Sequence, residues 1–371
     1  MKKILCIVGT RPNLIKLNCL YKNLIKYFNT KIIHTGQHMS FNMNTIFFKQ
    51  LNIPKPDYFL GCNTKLIPAG SLQDELYNNF NRSKIKFYIK ELLSNNNGQI
   101  SLIIDKLRPI FEEERPDLVM VFGDVTSTLA SSLIAFDMHI PIAHIESGLR
   151  SSDYNMPEEI NRILVDYMST YYFISEPSGI NNLLNEGYNE HLYIVGNTMI
   201  DSLYSVYNYI KKPIYKNYIL ITLHRPSNVD NNQYLIKILK ELEKLSNKYN
   251  IIFPIHPRTK NNINIHKYKY ITFIDPQDYI SFISLIKYSI FIITDSGGVQ
   301  EESTHLGKMC FTLRKNTERP LTLIKNGGTN SLIDSINDID LKNKNVSKLI
   351  NNLWDGNASI RISKLLVSLL Q

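Results

Sequence analysis

Cysteine, tryptophan and long apolar runs are scarce in this chain, and each scarcity removes a class of protein. Four cysteines (Cys6, Cys19, Cys62, Cys310) stand far apart in 371 residues, with no CxxC pair. That spacing argues against a disulfide scaffold and fits a reduced, cytoplasmic protein with small buried thiols. No apolar window reaches 18 residues, so no membrane span is expected. The opening "MKKILCIVGTRPN" has the lysines of a signal peptide, but its apolar run stops at Val8 and Arg11 closes it. It reads as a first buried strand. Acid is the minority charge: 33 Asp and Glu against 42 Lys and Arg leave a net +9. Such a surplus suits a polyanion or a phosphorylated substrate. The lysines are scattered and no basic run interleaves with aromatics, so neither nucleic acid nor membrane is expected as a partner. No His/Cys/Asp set has metal-ligand spacing, so no metal is expected.

What the chain has in quantity is short apolar runs alternating with helical periods. The runs are "KILCIVG", "KIIHTG", "DLVMVFGD", "IPIAHIE", "TYYFIS", "LYIVGN", "YILITLH", "IIFPIH", "ITFID", "IFIITDSGG" and "MCFTLR". Fully apolar strands separated by helices point to an α/β fold with parallel sheets covered on both faces. Eleven strands exceed one doubly wound sheet of usual size, so two Rossmann-like domains are expected. The spans are 1–173 and 174–354, with "FISEPSG" as the hinge. The tail 355–371, "ASIRISKLLVSLL" after "WDGN", reads as an amphipathic helix packing back on the first domain. Residues 63–98 interrupt the alternation, with a helical "SLQDELYNNFNRSKIKFYIKELL" and an Asn-rich turn, and read as an insertion.

Chemistry concentrates where strands end. In "FIITDSGGVQEESTHLGK" a strand runs into Ser296, Gly297 and Gly298 and then a helix, whose first N–H groups offer an anion site suited to a diphosphate. Glu302, one turn into that helix, could accept from a ribose diol. "VGTRPNLIK" repeats the idea at the first strand end with Arg11 and Lys16. Asp124 follows the strand of "DLVMVFGD", where it is either a ligand contact or a helix cap. His224 and His256 each end a buried strand.

The stretch "HIESGLRSSDYNMPEEINR" (144–162) gathers Glu146, Asp153, Glu158 and Glu159 in a basic chain. Glu146 follows a strand directly. Pro157 opens a helix whose apolar face is Ile160, Leu164, Tyr167 and Met168. Glu158 and Glu159 lie in its first turn, where negative charge is favoured anyway, and Glu159 is read as nothing more. An anion cradle in one domain and several carboxylates in the other, all at carboxyl ends of strands facing one cleft, outline a nucleotide-sugar site.

These motifs resemble the non-hydrolysing UDP-N-acetylglucosamine 2-epimerase family, whose fold is GT-B-like. The matching stretches are "GTRPN", "HTGQH", "GDVTSTLA", "HIESGLRSSDYNMPEEINR", "GNTMID", "TLHRPSN", "DSGGVQEE" and "NTERP", in family order and spanning nearly all the chain outside 63–98. The resemblance implies inversion at C2 of a UDP-N-acetylhexosamine with no cofactor, in a homodimer. UDP would leave C1 as the C2 proton is lost, and would re-add to a 2-acetamidoglucal. It implies catalytic roles for Asp124, Glu146, Glu158 and His224, with acid and base undecided. It implies substrate contacts from Arg11, Lys16, His256, Ser296–Gly298 and Arg319, with Phe282 near the uracil and Glu302 at the ribose.

The chain departs from the family at Asn13, where many members have Glu, and at Pro226 and Ser227 of "HRPSN". Met39 and Ser40 after "HTGQ" also bear on whether a second substrate molecule activates the enzyme. A 6-deoxy or uronic UDP-sugar is an alternative substrate. A hydrolysing epimerase, a GT-B glycosyltransferase and an inactive sugar-nucleotide sensor are the rivals.

Overall fold

The computed structural model describes residues 1–37, 47–62, 80–94, 98–341 and 352–371. They form two compact units, one of Met1–Ser205 with Asn352–Gln371, the other of Val206–Asn351. The first unit alternates β1 (Lys3–Val8), α1 (Arg11–Leu24), β2 (Asn29–His34), β3 (Tyr58–Phe59), α2 (Ile85–Ser94), α3 (Gln99–Glu114), β4 (Leu118–Phe122), α4 (Thr126–Asp137), β5 (Ile142–Ile145), α5 (Pro157–Met168), β6 (Tyr171–Ile174), α6 (Pro177–Asn185), β7 (Leu192–Ile194) and α7 (Thr198–Val206). The second carries β8 (Tyr218–Thr222), α8 (Pro226–Val229), α9 (Asn232–Leu245), β9 (Asn250–Pro254), α10 (Pro257–Asn261), β10 (Ile271–Ile274), α11 (Tyr279–Tyr288), β11 (Ile292–Thr294), α12 (Gly297–His305), β12 (Cys310–Leu313) and β13 (Asn330–Ile333). The last helix, α13 (Ala358–Leu369), belongs to the first unit.

Both sheets are parallel throughout. Their orders are β3-β2-β1-β4-β5-β6-β7 and β10-β9-β8-β11-β12-β13. Helices cover both faces, which is why the strands read as unbroken apolar runs. In the first unit Leu5, Ile7, Val119 and Val121 pack with Leu107, Phe111, Leu129 and Leu133 of the flanking helices. In the second, Ile219, Ile221, Phe253 and Ile293 pack with Leu235, Leu239 and Leu242 of α9. Burying each such side chain contributes roughly 1.5–3 kcal/mol. Strand order reverses between β1 and β4, and again between β8 and β11. At such switch points the flanking loops diverge at the strands' carboxyl ends and leave a ligand-sized crevice.

Three expectations change. Thirteen strands are present among the described residues rather than eleven. Tyr58–Phe59 is too short to show a period, and "NSLI" is an edge strand mixing polar with apolar residues. The boundary placed at 173/174 falls instead at 205/206. Tyr172 of β6 is in register with Leu192 of β7, and Trp354 Nε1 donates to the Ser175 carbonyl at 3.1 Å, so "FISEPSG" is interior to the first unit. Of the presumed insertion, residues 63–79 and 95–97 lie outside the described residues. In the part that is described, Ile89 and Leu92 of α2 are buried in the first unit's core, so α2 is a structural layer. The terminal α13 lies against α1, and Asp201 accepts from its first N–H groups, Ala358 at 3.1 Å and Ser359 at 2.6 Å.

Candidate active site

The first unit's candidates sit at the ends of β1, β4 and β5. The β1–α1 turn is tied down by Asn13, whose side-chain carbonyl accepts from Gly9 N at 3.1 Å and Thr10 N at 3.2 Å. Its amide donates to the Phe122 carbonyl at 2.9 Å, bridging the switch point. The departure at Asn13 is therefore a structural tie. Arg11 lies over the Phe47 ring, 5.1 Å from its centroid, and burial lowers its pKa from the ordinary arginine value. Lys16 forms a buried ion pair with Glu146. Its ammonium reaches across Gly123 (φ +62°), where a Cβ would lie 2.9 Å from Nζ, so only glycine leaves that path open.

Glu146 has φ +74°, a left-handed conformation that an L side chain adopts at a cost and that recurs at functional sites. Asp124 is paired with Arg162, which is 1% exposed and also contacts Glu159 at 3.1 Å. Glu159 itself is 1% exposed and accepts from Ser151 N at 2.8 Å and Ser152 N at 3.0 Å. It therefore builds the turn before α5, a larger role than the helix-dipole reading gave it. Glu158 stands half-buried one residue earlier, with no ion pair or hydrogen bond among the described residues.

In the second unit the buried Asp295 organises the end of β11. It accepts from His224 N, Arg225 N at 2.9 Å and Asn228 Nδ2 at 3.1 Å, and pairs with His224 Nδ1 at 3.0 Å. Burial opposes its charge, but His224 and these donors win and hold the carboxyl at about 2. The His224 ring lies 5.7 Å from that of His256. His256 Nδ1 accepts from Arg258 N at 3.2 Å, fixing its tautomer with the proton on Nε2.

Ser296 begins α12. At Gly297 a Cβ would lie 2.5 Å from Arg319 Nη1 and 2.7 Å from Glu318 Oε1, so the missing side chain admits that pair. Arg319 contacts Glu301 at 3.0 Å as well as Glu318, and Glu318 also holds Arg314 at 2.7 Å and faces Arg225 at 3.9 Å. Three guanidinium groups thus gather with Glu301 and Glu318 beside a helix N-terminus, an arrangement whose donors suit an anion. Glu302 adds no charge at neutral pH. Burial pushes its carboxyl up to about 8, with the Glu301 charge acting the same way and the Tyr279 hydroxyl against. Phe282 is half-buried on α11, the helix of Tyr279.

The structure thus joins Lys16 to Glu146, Asp124 to the helix of Glu158, His224 to His256, and Gly297 to Arg319. Lys16, expected as a diphosphate contact, is paired with Glu146. Sequence reasoning missed Asp295, Glu318, Arg225, Arg314 and Arg162. All but Arg314 lie inside the quoted motifs, but partners so far apart in the chain leave no mark on local periodicity. Met39 and Ser40 lie outside the described residues. Among the described residues there is no His, Cys, Asp and Glu group that could hold a metal, and no helix long and apolar enough to cross a membrane.

Two sheets with ligand-ready switch points, one ringed by carboxylates and the other by an anion cradle, define a GT-B-like nucleotide-sugar enzyme. The chain belongs to the UDP-N-acetylglucosamine 2-epimerase family, whose model matches residues 69–367. It is 41% identical over 347 residues to the UDP-N-acetylglucosamine 2-epimerase of Methanococcus maripaludis, covering 87% of this chain and 86% of that one. It is 35% identical over 385 residues to the UDP-2,3-diacetamido-2,3-dideoxy-D-glucuronate 2-epimerase of Pseudomonas aeruginosa, covering 99% and 100%. Among solved structures, the Methanocaldococcus jannaschii UDP-GlcNAc 2-epimerase in complex with UDP-GlcNAc and UDP superposes with a TM-score of 0.81 at 34% identity, covering 99% of each chain. The protein is accordingly a C2 epimerase of a UDP-sugar.

Proposed function

We propose that the chain interconverts UDP-N-acetylglucosamine and UDP-N-acetylmannosamine by elimination and re-addition of UDP. A carboxylate takes the C2 proton, the C–H pair forms the C1=C2 bond, and the C1–O bond breaks with its electrons passing to the diphosphate. In the return step a diphosphate oxygen attacks C1 of the 2-acetamidoglucal while C2 takes a proton from an acid on the other face. The C2 proton is not adjacent to a carbonyl, so stabilising the departing diphosphate carries much of the catalysis. The cradle of Ser296–Gly298 and Arg319 suits that task, with Arg11 and His224 as further donors.

The observation that carries the reading is Glu146, a buried carboxylate in a left-handed conformation, held by Lys16 at a strand end. Asp124 and Glu146 are each paired with a buried cation, and the base is assigned to one of this pair. Glu158, with no cationic partner among the described residues, delivers the proton on the other face. Turnover of UDP-GlcNAc in D₂O tests the chemistry. Product should carry deuterium at C2, and Asp124→Asn, Glu146→Gln and Glu158→Gln should each lower kcat by roughly 10²-fold or more while UDP still binds. Product that keeps its C2 hydrogen overturns the mechanism. The Pseudomonas relative supports a second substrate, a diacetamido uronic UDP-sugar. Faster turnover of that sugar than of UDP-GlcNAc would reassign the substrate and leave the mechanism in place.

A further inference from the structure

Behind the three carboxylates lies a fully buried pair that the mechanism does not use. His144 and Asp166 are both 0% exposed. His144 Nδ1 lies 2.7 Å from Asp166 Oδ1, and Nε2 lies 2.8 Å from the Gly123 carbonyl. A carbonyl only accepts. Asp166 is also an acceptor, since Arg150 contacts its other oxygen at 2.7 Å and Gly148 N donates to that oxygen at 3.1 Å. Burial works against that charge, yet Arg150 and His144 outweigh it and hold the Asp166 carboxyl below its ordinary range. Both ring nitrogens thus face acceptors, and the ring bridges the Asp166 carboxylate to the Gly123 carbonyl.

The three segments that this ring joins are those that carry the carboxylates. Gly123 immediately precedes Asp124. His144 stands two residues before Glu146, and Ile145 between them accepts from Gly123 N at 3.0 Å. Asp166 lies on α5, whose first turn holds Glu158 and whose Arg162 holds Asp124. Arg150 continues outward to Glu186 at 2.8 Å, and Glu186 to Arg82 at 2.7 Å, so the guanidinium facing Asp166 is itself fixed. The Tyr172 hydroxyl donates to the Asp166 backbone carbonyl at 2.9 Å, which leaves the carboxylate to His144, Arg150 and Gly148.

We propose that His144 is a positioning residue, a buried imidazole that cross-links β4, β5 and α5 and sets the mutual spacing of Asp124, Glu146 and Glu158. The proposal rests on those three carboxylates being catalytic. Proton removal and proton return are separate events on opposite faces, so mis-spaced carboxylates should hurt the return step in particular. The intermediate then escapes as free UDP and glycal instead of going forward.

The test uses the full chain with His144→Phe, His144→Gln and Asp166→Asn, each turned over with UDP-GlcNAc. Epimerised product and free UDP are resolved by anion-exchange chromatography. His144→Phe and Asp166→Asn should lose on the order of 10²-fold in kcat with KM and UDP affinity nearly unchanged. Each should release several times more UDP per epimerisation. His144→Gln retains an N–H donor and should recover part of both, and it serves where the Phe variant does not fold. The ratio of UDP released to product formed does not depend on the folded fraction, so a merely destabilising substitution leaves it unmoved. An unchanged ratio with reduced rate would overturn the positioning role. Loss of turnover in the three carboxylate variants alongside an unmoved ratio here defeats only this inference. Carboxylate variants that keep turnover defeat the catalytic reading itself.

Discussion

Replacing Glu302 by Gln should stabilise the protein, and by an amount that grows with pH. The carboxyl is buried beside the Glu301 charge, so its pKa stands near 8 against an ordinary 4.5, while Glu301 remains the charged member through its contact with Arg319. A carboxyl whose folded pKa is raised favours folding most below its unfolded pKa. Stability is then lost as pH rises, because the unfolded chain releases the proton first. The window runs from about 4.5 to about 8. The slope is about 1.4 kcal/mol per pH unit, giving about 3 kcal/mol at pH 7 and about 5 kcal/mol above pH 8. Gln keeps the shape of the protonated acid and ionises in neither state. Urea titrations of wild type and Glu302→Gln at pH 5, 7 and 9 measure this. The variant should be nearly equal to wild type at pH 5 and lead by several kcal/mol at pH 9. A lead that does not grow with pH would mean that Glu302 is ionised in the native protein, and that the cradle carries one more negative charge than described.

Two further outcomes follow from the same contacts. Gly297→Ala places a Cβ 2.5 Å from Arg319 Nη1, so calorimetric titration should show UDP binding weakened by roughly tenfold in a folded protein; unchanged affinity would remove Arg319 from the cradle. Lys16→Met leaves the Glu146 carboxylate buried without its cation and should cost roughly 3–5 kcal/mol in urea titrations at pH 7, whereas a loss under 1 kcal/mol would mean that water reaches Glu146.

Much of the architecture was legible because burial on both faces of a parallel sheet imposes an apolar run on each strand. Ile4–Val8 and Leu118–Phe122 could be read directly for that reason, and the groups at their ends, Arg11 and Asp124, could be assigned to a ligand-facing edge. Tyr58–Phe59 and Asn330–Ile333 escaped because edge strands need no such run. The unit boundary escaped because β6 and β7 are joined by sheet register, a relation between residues 172 and 192 that no local pattern records. Within the site, the sequence by itself determined which titratable groups stand at strand ends, since that is a matter of order along the chain. Only the tertiary structure decided which charges and how much solvent each of them meets. Lys16 meets Glu146, Arg162 meets Asp124, and Glu302 is sealed beside Glu301. A carboxylate's protonation depends on solvent access and on charges a few ångströms away through space, and those neighbours come from distant points in the chain.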